Sequence, residues 1–182
     1  TGLQFWFDGN NVNADSSVDV ISDNSAFLIW NDLSDNSRNA VQGDAVKMGV
    51  YKANSLNGKG TIQFAADDTL DLSHAVTGVK TIFAVFKQTS GAAQTKIFGG
   101  DAITTAANGN VALQREGGAG LIDSAVTSSS YHVVTYEATA GAYALFVDGT
   151  DKGGNTDPQA LGGLTKIGND FAGDIAEIVA YD

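Results

Sequence analysis

Cysteine is absent from the 182 residues, and proline and methionine each occur once. Without thiols the chain has neither a disulfide framework nor a thiolate zinc site, so packing alone must hold the fold. Basic residues are scarce: 10 Lys and Arg stand against 21 Asp and Glu, for a net charge of -11. Such a surface repels phosphate backbones and anionic lipid heads at long range, so nucleic acid is not an expected partner. Two readings of the acidic excess stay open, a solubility device in a salty medium and a store of oxygen ligands for calcium. The sequence also lacks an apolar run long enough to cross a bilayer, an N-x-[ST] sequon and a cleavable leader pattern. The expectation is a mature or excised piece of bacterial or viral origin, with no membrane insertion.

No sustained helical period occurs. Short apolar runs of period two are broken, roughly every 8 to 12 residues, by Gly, Asn, Asp and Ser, which is the pattern of an all-β chain. Leu3, Phe5 and Phe7 alternate with Gln4, Trp6 and Asp8, predicting a strand with one apolar face and Trp6 on the other. The run Thr81 to Lys87 is apolar on both faces and reads as a strand inside a layered structure. Tyr131 to Ala138 and Ala142 to Val147 are further strands, and Asn57-Gly58 and Asp148-Gly149 offer the positive-φ pairs that tight hairpins need. The last residues, Phe171 to Asp182, read as a loop feeding a final strand that is again apolar on both faces. On the order of ten short strands without crossover helices predict a two-sheet antiparallel sandwich, with residues 1–182 as one domain, a module of a larger protein.

Several segments, taken in order, resemble the laminin G-like jelly-roll modules of bacterial and viral surface proteins, within the concanavalin A-like lectin and glucanase group. They are Gly2-Leu-Gln-Phe-Trp-Phe-Asp8, Trp30-Asn-Asp32-Leu-Ser34, Phe64-Ala-Ala-Asp67-Asp68-Thr-Leu70, Thr81-Ile-Phe-Ala-Val-Phe86, Leu145-Phe-Val-Asp148-Gly149, Ile167-Gly168 and Phe171-Ala-Gly173-Asp174-Ile-Ala-Glu177-Ile. The resemblance spans nearly the whole chain and implies a jelly-roll sandwich. It leaves the ligand open, because such folds serve glycan binders, protein binders, assembly domains and some glycosidases.

An enzyme is not expected. Sugar-cleaving members would place Glu-x-Asp-x-x-Glu on one strand, and that motif is missing. Asp174 and Glu177 come nearest, but their odd separation on a strand sends the two side chains to opposite faces, where they cannot serve one glycosidic bond as a pair. Two histidines, His74 and His132, no cysteine and no Gly-x-Ser-x-Gly elbow leave no nucleophile system. Gly58-Lys59-Gly60-Thr61 reads as a turn rather than a phosphate loop, and His132 as a packed, hydrogen-bonded strand residue.

Asp32-x-Ser34-x-Asn36 sets oxygen-bearing side chains at alternate positions of one loop, a spacing that suits a calcium site or an ordinary turn equally. The resemblance implies a structural calcium on the outer face, for which Glu177 of the last strand is the expected ligand. Its neighbours Ile175 and Val179 read as buried on the same face, where a lone carboxylate is costly unless paired or liganded. Asp68, in the Asp67-Asp68 turn, caps that turn, joins the ion or faces water. For ligand contact the candidates are Trp30, Asp32, Asn36, Arg38 and Asn39, in a loop at one end of the sandwich, with Tyr51 and Arg115 as further contributors. The expected activity is carbohydrate or glycoconjugate binding, or adhesion, by an extracellular, cell-surface or virion protein. The alternatives are a structural or assembly domain that contacts a surface protein or neighbouring chains in a larger assembly, and a divergent glycosidase.

Overall fold

In the computed structural model the described residues are 2–15, 17, 19–88, 95–99, 102–105, 110–114, 120–125, 129–139, 142–155 and 163–182. Among them there are eighteen strands and no helix. They are β1 (Leu3–Asp8), β2 (Ala26–Phe27), β3 (Ile29–Trp30), β4 (Ala40–Val41), β5 (Gly49–Leu56), β6 (Lys59–Phe64), β7 (Leu70–Val76), β8 (Thr81–Gln88) and β9 (Thr95–Lys96). The rest are β10 (Phe98–Gly99), β11 (Ala102–Thr105), β12 (Asn110–Gln114), β13 (Gly120–Ala125), β14 (His132–Thr139), β15 (Ala142–Val147), β16 (Thr150–Asn155), β17 (Leu164–Ile167) and β18 (Gly173–Tyr181).

The expected antiparallel sandwich is present. A nine-stranded sheet runs β16-β15-β14-β8-β18-β6-β5-β2, with β1 also paired to β18, and a five-stranded sheet runs β10-β17-β7-β4-β3. Hydrogen bonding sets apart a further four-stranded sheet, β13-β12-β11-β9. β18 is the organising strand. On one side it pairs with β8 along nearly its whole length, and on the other it pairs first with β6 and then with β1. The two ends of the chain therefore meet in one ladder in the middle of the larger sheet.

Period two then decides the core. Phe5 and Phe7 of β1, Ile82, Ala84 and Phe86 of β8, and Val134 and Tyr136 of β14 point inward and are buried. They pack with Leu70, Leu72 and Val76 of β7, Leu164 and Ile167 of β17, and Trp30 and Phe98 in one contiguous apolar cluster. The two-sided apolar pattern of β8 has a different cause from the one its sequence suggests. Only one face is covered; Phe83 on the other face is 38% exposed.

Both expected hairpins form. Asn57 and Gly58, at φ 51° and 80°, join β5 to β6, and Asp148 and Gly149, at φ 50° and 74°, join β15 to β16. Asp148 is also tied back to β14: its carboxylate accepts from Val133 N at 2.9 Å and meets His132 Nδ1 at 2.7 Å. His132 is thus a hydrogen-bonded strand residue, as its position in the sequence implies. Partial burial of the Asp148 carboxyl raises its pKa, but the bonds from His132 and Val133 outweigh that and hold it below the ordinary carboxylate value. A depressed folded pKa contributes stability that is fully present above the unfolded value, near 3.9, and is lost as pH falls through the folded one. Asp148→Asn, which keeps the turn conformation, is expected to lower stability by no more than about 1 kcal/mol at neutral pH, because the site is half exposed. In urea titrations the gap from the parent should close as pH falls from the unfolded value through the depressed folded one.

Candidate functional site

Along β18 the residues Gly173, Asp174 and Ile175 pair in step with Gln88, Lys87 and Phe86, and then Glu177, not Ala176, opposes Val85. Ala176 is the extra residue of a β-bulge. Ile175 and Ile178 are both buried on the inner face, so the bulge turns Asp174 and Glu177 to the same outer face despite their odd separation. The opposite-face argument drawn from the sequence is corrected here: the period-two rule fails across the one residue that does not pair. For the same reason Ile175 is not a same-face neighbour of Glu177, which instead stands beside Val179 and is only half buried.

Cross-strand register aligns the outer face into rows. Phe146, Thr135, Phe83, Val179 and Trp6 stand in line across β15, β14, β8, β18 and β1. Below them run Val133, Val85, Glu177 and Asp8. This face is open to solvent: Val133 is 44% exposed and Tyr181 37%, the latter meeting Phe83 edge-on at 6.4 Å between ring centroids. An exposed apolar band in the middle of a sheet makes this face a candidate binding surface.

A cleft of about 390 Å³ opens beside this band, where β1 and β6 meet end to end along β18. Trp6 and Asp8 of β1, Lys59 and Gly60 of β6, Ala176 and Glu177 of β18, Val85 and Leu56 line it. Its floor requires glycine, since a Cβ on Gly60 would lie 2.1 Å from the Tyr51 hydroxyl and 2.6 Å from Gly9 O. Gly9 N closes the junction by donating to Ala176 O at 2.8 Å. The Trp6 indole N–H donates to Glu177 Oε1 at 2.8 Å, so ring and carboxylate hold one another in place before any ligand arrives.

The next row is polar and closed. Asp174, 2% exposed, bonds Lys87 Nζ at 2.6 Å and accepts from Gln63 Nε2 at 3.0 Å and from the Tyr131 hydroxyl at 3.0 Å. Ser55 Oγ lies 2.8 Å from that hydroxyl, and Lys87 sits over the Tyr131 ring at 4.8 Å. The Asp174 hydrogen bond holds the Lys87 ammonium above its ordinary pKa against the opposing effect of burial, while burial pushes Tyr131 up. Both carboxylate oxygens of Asp174 are engaged, so it supports the face rather than offering it an open acid.

The loop residues expected to contact ligand form a strap on β1. Asp32 is buried; its Oδ1 accepts from Trp6 N and Ser34 N, and its Oδ2 from Arg38 N and the Ser34 hydroxyl. Asn39 Oδ1 accepts from Asp32 N at 3.0 Å, and Asn36 Nδ2 donates to Leu3 O at 2.7 Å. Arg38 donates to the Gln4 carbonyl at 2.8 Å and to its side-chain oxygen. Trp30 is fully buried against Phe7 and Phe27, with its indole N–H on Asp8 O at 3.1 Å, so it has no surface for a sugar. The spacing of Asp32, Ser34 and Asn36 is therefore that of a self-bonded turn. Tyr51 is buried beneath the cleft, and Arg115 lies outside the described residues.

Asp68 caps its turn by accepting from Ala65 N at 2.7 Å, and burial pushes its carboxyl up. It lines a separate cleft of about 470 Å³ with Asp67, Lys47, Lys166 and Asp170. The residues present do not fit a calcium ion shared by Glu177 and Asp68: the two lie in different clefts, and each gives an oxygen to a protein donor. Among the described residues no group of three or more His, Asp or Glu side chains gathers around one point. The sequence points to Trp6 as facing away from Phe5 and Phe7, but not to its partnership with Glu177, Asp8 and Lys59, which come from three separate strands.

No protein-family model matches this sequence, and no curated protein matches it. Among described residues, no helix is long and apolar enough to cross a membrane. Solved structures do share the fold. Domain 4 of AbnA, a GH43 extracellular arabinanase from Geobacillus stearothermophilus solved with arabinotriose, superposes with a TM-score of 0.60 at 13% identity, covering 99% of this chain and 92% of that one. A GH54 α-L-arabinofuranosidase gives 0.63 at 12% identity over 99% of this chain and 55% of the other. Trypanosoma rangeli sialidase gives 0.56 at 10% identity, with 99% and 30% covered. The chain has the all-β antiparallel sandwich fold found in these carbohydrate-active proteins.

Proposed function

We propose that the chain is a non-catalytic glycan-binding module, of the laminin G-like jelly-roll kind its segments resemble, that attaches a larger extracellular, cell-surface or virion protein to a carbohydrate-bearing surface. One observation carries this reading: a half-buried tryptophan, pre-set by a carboxylate, stands at the edge of an open apolar row and beside a polar cleft. Sugars need both parts, because a pyranose or furanose ring has an apolar face for stacking and a rim of hydroxyls for hydrogen bonds. The arabinotriose complex of the AbnA domain supports the choice of ligand class. Asp174, which shares the outer face with Glu177, is held by Lys87, Tyr131 and Gln63 and so is not an open acid for that carboxylate to work with.

Trp6→Ala is expected to weaken binding by roughly thirtyfold, equivalent to about 2 kcal/mol, as for a tryptophan at the centre of an interface. Calorimetric titration with the best glycan from an array would measure it. An array that stays blank with and without calcium ends the glycan reading. Defined oligomers whose contacts are broken by the same substitution would give the apolar row to a neighbouring protein chain instead.

A further inference from the structure

We infer that the cleft selects neutral oligosaccharides and discriminates against sialylated, uronate-containing and sulfated ones; this rests on the glycan-binding reading above. The ground is the charge that the tertiary structure gathers there. Asp8 and Glu177 are direct register partners across β1 and β18, so two carboxylates stand side by side on one wall. Against them, among the described residues, the cleft has one cation, Lys59. Lys87, two residues from Val85 on the same face of β8, is committed to Asp174 at 2.6 Å.

Recognition of an anionic sugar generally depends on guanidinium groups, whose fork matches a carboxylate or sulfate. The chain has two arginines. Arg38 is bonded to Gln4 and does not line the cleft, and Arg115 lies outside the described residues. A carboxylated ligand would therefore bring its charge toward Asp8 and Glu177, in the field of a protein of net charge -11.

A neutral polyol meets the opposite situation. Its hydroxyls donate, and ionised carboxylates are the strongest acceptors a protein offers, so Asp8 and Glu177 favour ligands rich in O–H donors. Glu177 gives one oxygen to Trp6 and keeps the other for the ligand. Asp8 likewise spends one oxygen on Asn10 N at 2.8 Å. Lys59 supplies the donor that such a site needs for ring or ether oxygens. The apolar sides of Trp6 and Val85 take the ring face.

The test is a printed array of neutral and acidic glycans, with lactose against sialyllactose and the size-matched galactotriose against trigalacturonate, followed by calorimetry on the hits. The expected result is binding of neutral members at least tenfold tighter than of their acidic partners. That ratio should shrink in the Asp8→Asn and Glu177→Gln variants and at high salt, which screens the repulsion. Both substitutions keep an acceptor for Asn10 N and for the Trp6 indole. Equal or tighter binding of acidic glycans overturns the selectivity while leaving glycan binding standing. A blank array removes both. Binding of neutral glycans that Trp6→Ala leaves intact places the site elsewhere and overturns the inference.

Discussion

Trp30→Ala is expected to destabilise the fold by about 3–5 kcal/mol, the range for deleting a fully buried large aromatic side chain. Trp30 is enclosed by Phe7, at 5.5 Å between ring centroids, and Phe27, at 6.0 Å. Truncation leaves a cavity where β3 meets the end of β1, and the close-packed side chains around it relax only partly into the space. It also removes the donor that Asp8 O accepts at 3.1 Å. Trp6→Ala, by contrast, is expected to cost no more than about 1 kcal/mol, because that ring is only partly covered and its carboxylate partner can return to water. Urea unfolding followed by circular dichroism separates the two. If Trp30→Ala were as stable as the parent but failed to bind glycan, the loop-centred assignment of the ligand site would be right and the cleft-centred one wrong.

Asp174→Ala is expected to have the second large effect, about 3 kcal/mol of lost stability. Removing one member of a buried pair leaves the other charge without compensation and costs more than the pair contributes. Here the loss takes a partner from Lys87, Gln63 and Tyr131 together. Lys87 keeps some access to water, being 23% exposed, which places the cost at the lower end of the range for such pairs. Asp174→Leu combined with Lys87→Met should recover most of the stability, because both desolvation penalties disappear at once. A double-mutant cycle on the urea midpoint reads this coupling directly. If Asp174→Ala left stability unchanged but abolished turnover of some polysaccharide, Asp174 would be a catalytic acid and the non-catalytic reading would fall.

Much of the architecture was legible before folding is considered. Alternation in Leu3 to Asp8 placed Phe5 and Phe7 inside and Trp6 outside, and Asn57-Gly58 and Asp148-Gly149 marked their hairpins, because both signals depend only on residues adjacent in the chain. Other signals were present and misleading. Apolar residues on both faces of Thr81 to Lys87 suggested a strand covered on both sides, yet Phe83 and Val85 face outward into the proposed recognition surface. Hydropathy reports that a side chain avoids water, not whether core or ligand will cover it. The Asp32 to Asn39 loop looked like a ligand site because its polar side chains suit one equally well. Only their bonds to Gln4, Leu3 and Trp6 show that they bind the protein's own first strand.

The sequence by itself determined an acidic, cysteine-free, all-β sandwich, which strands alternate and where the tight turns fall. Those properties follow from local periodicity and backbone preference. Tertiary structure alone decided that Ala176 bulges out of β18, so that Asp174 and Glu177 share a face. It also decided that Trp6, Asp8, Lys59 and Glu177 meet at the junction of β1 and β6, while the second tryptophan goes to the core. Pairing between strands far apart in the chain sets these outcomes, and a bulge of one residue reverses every face downstream of it.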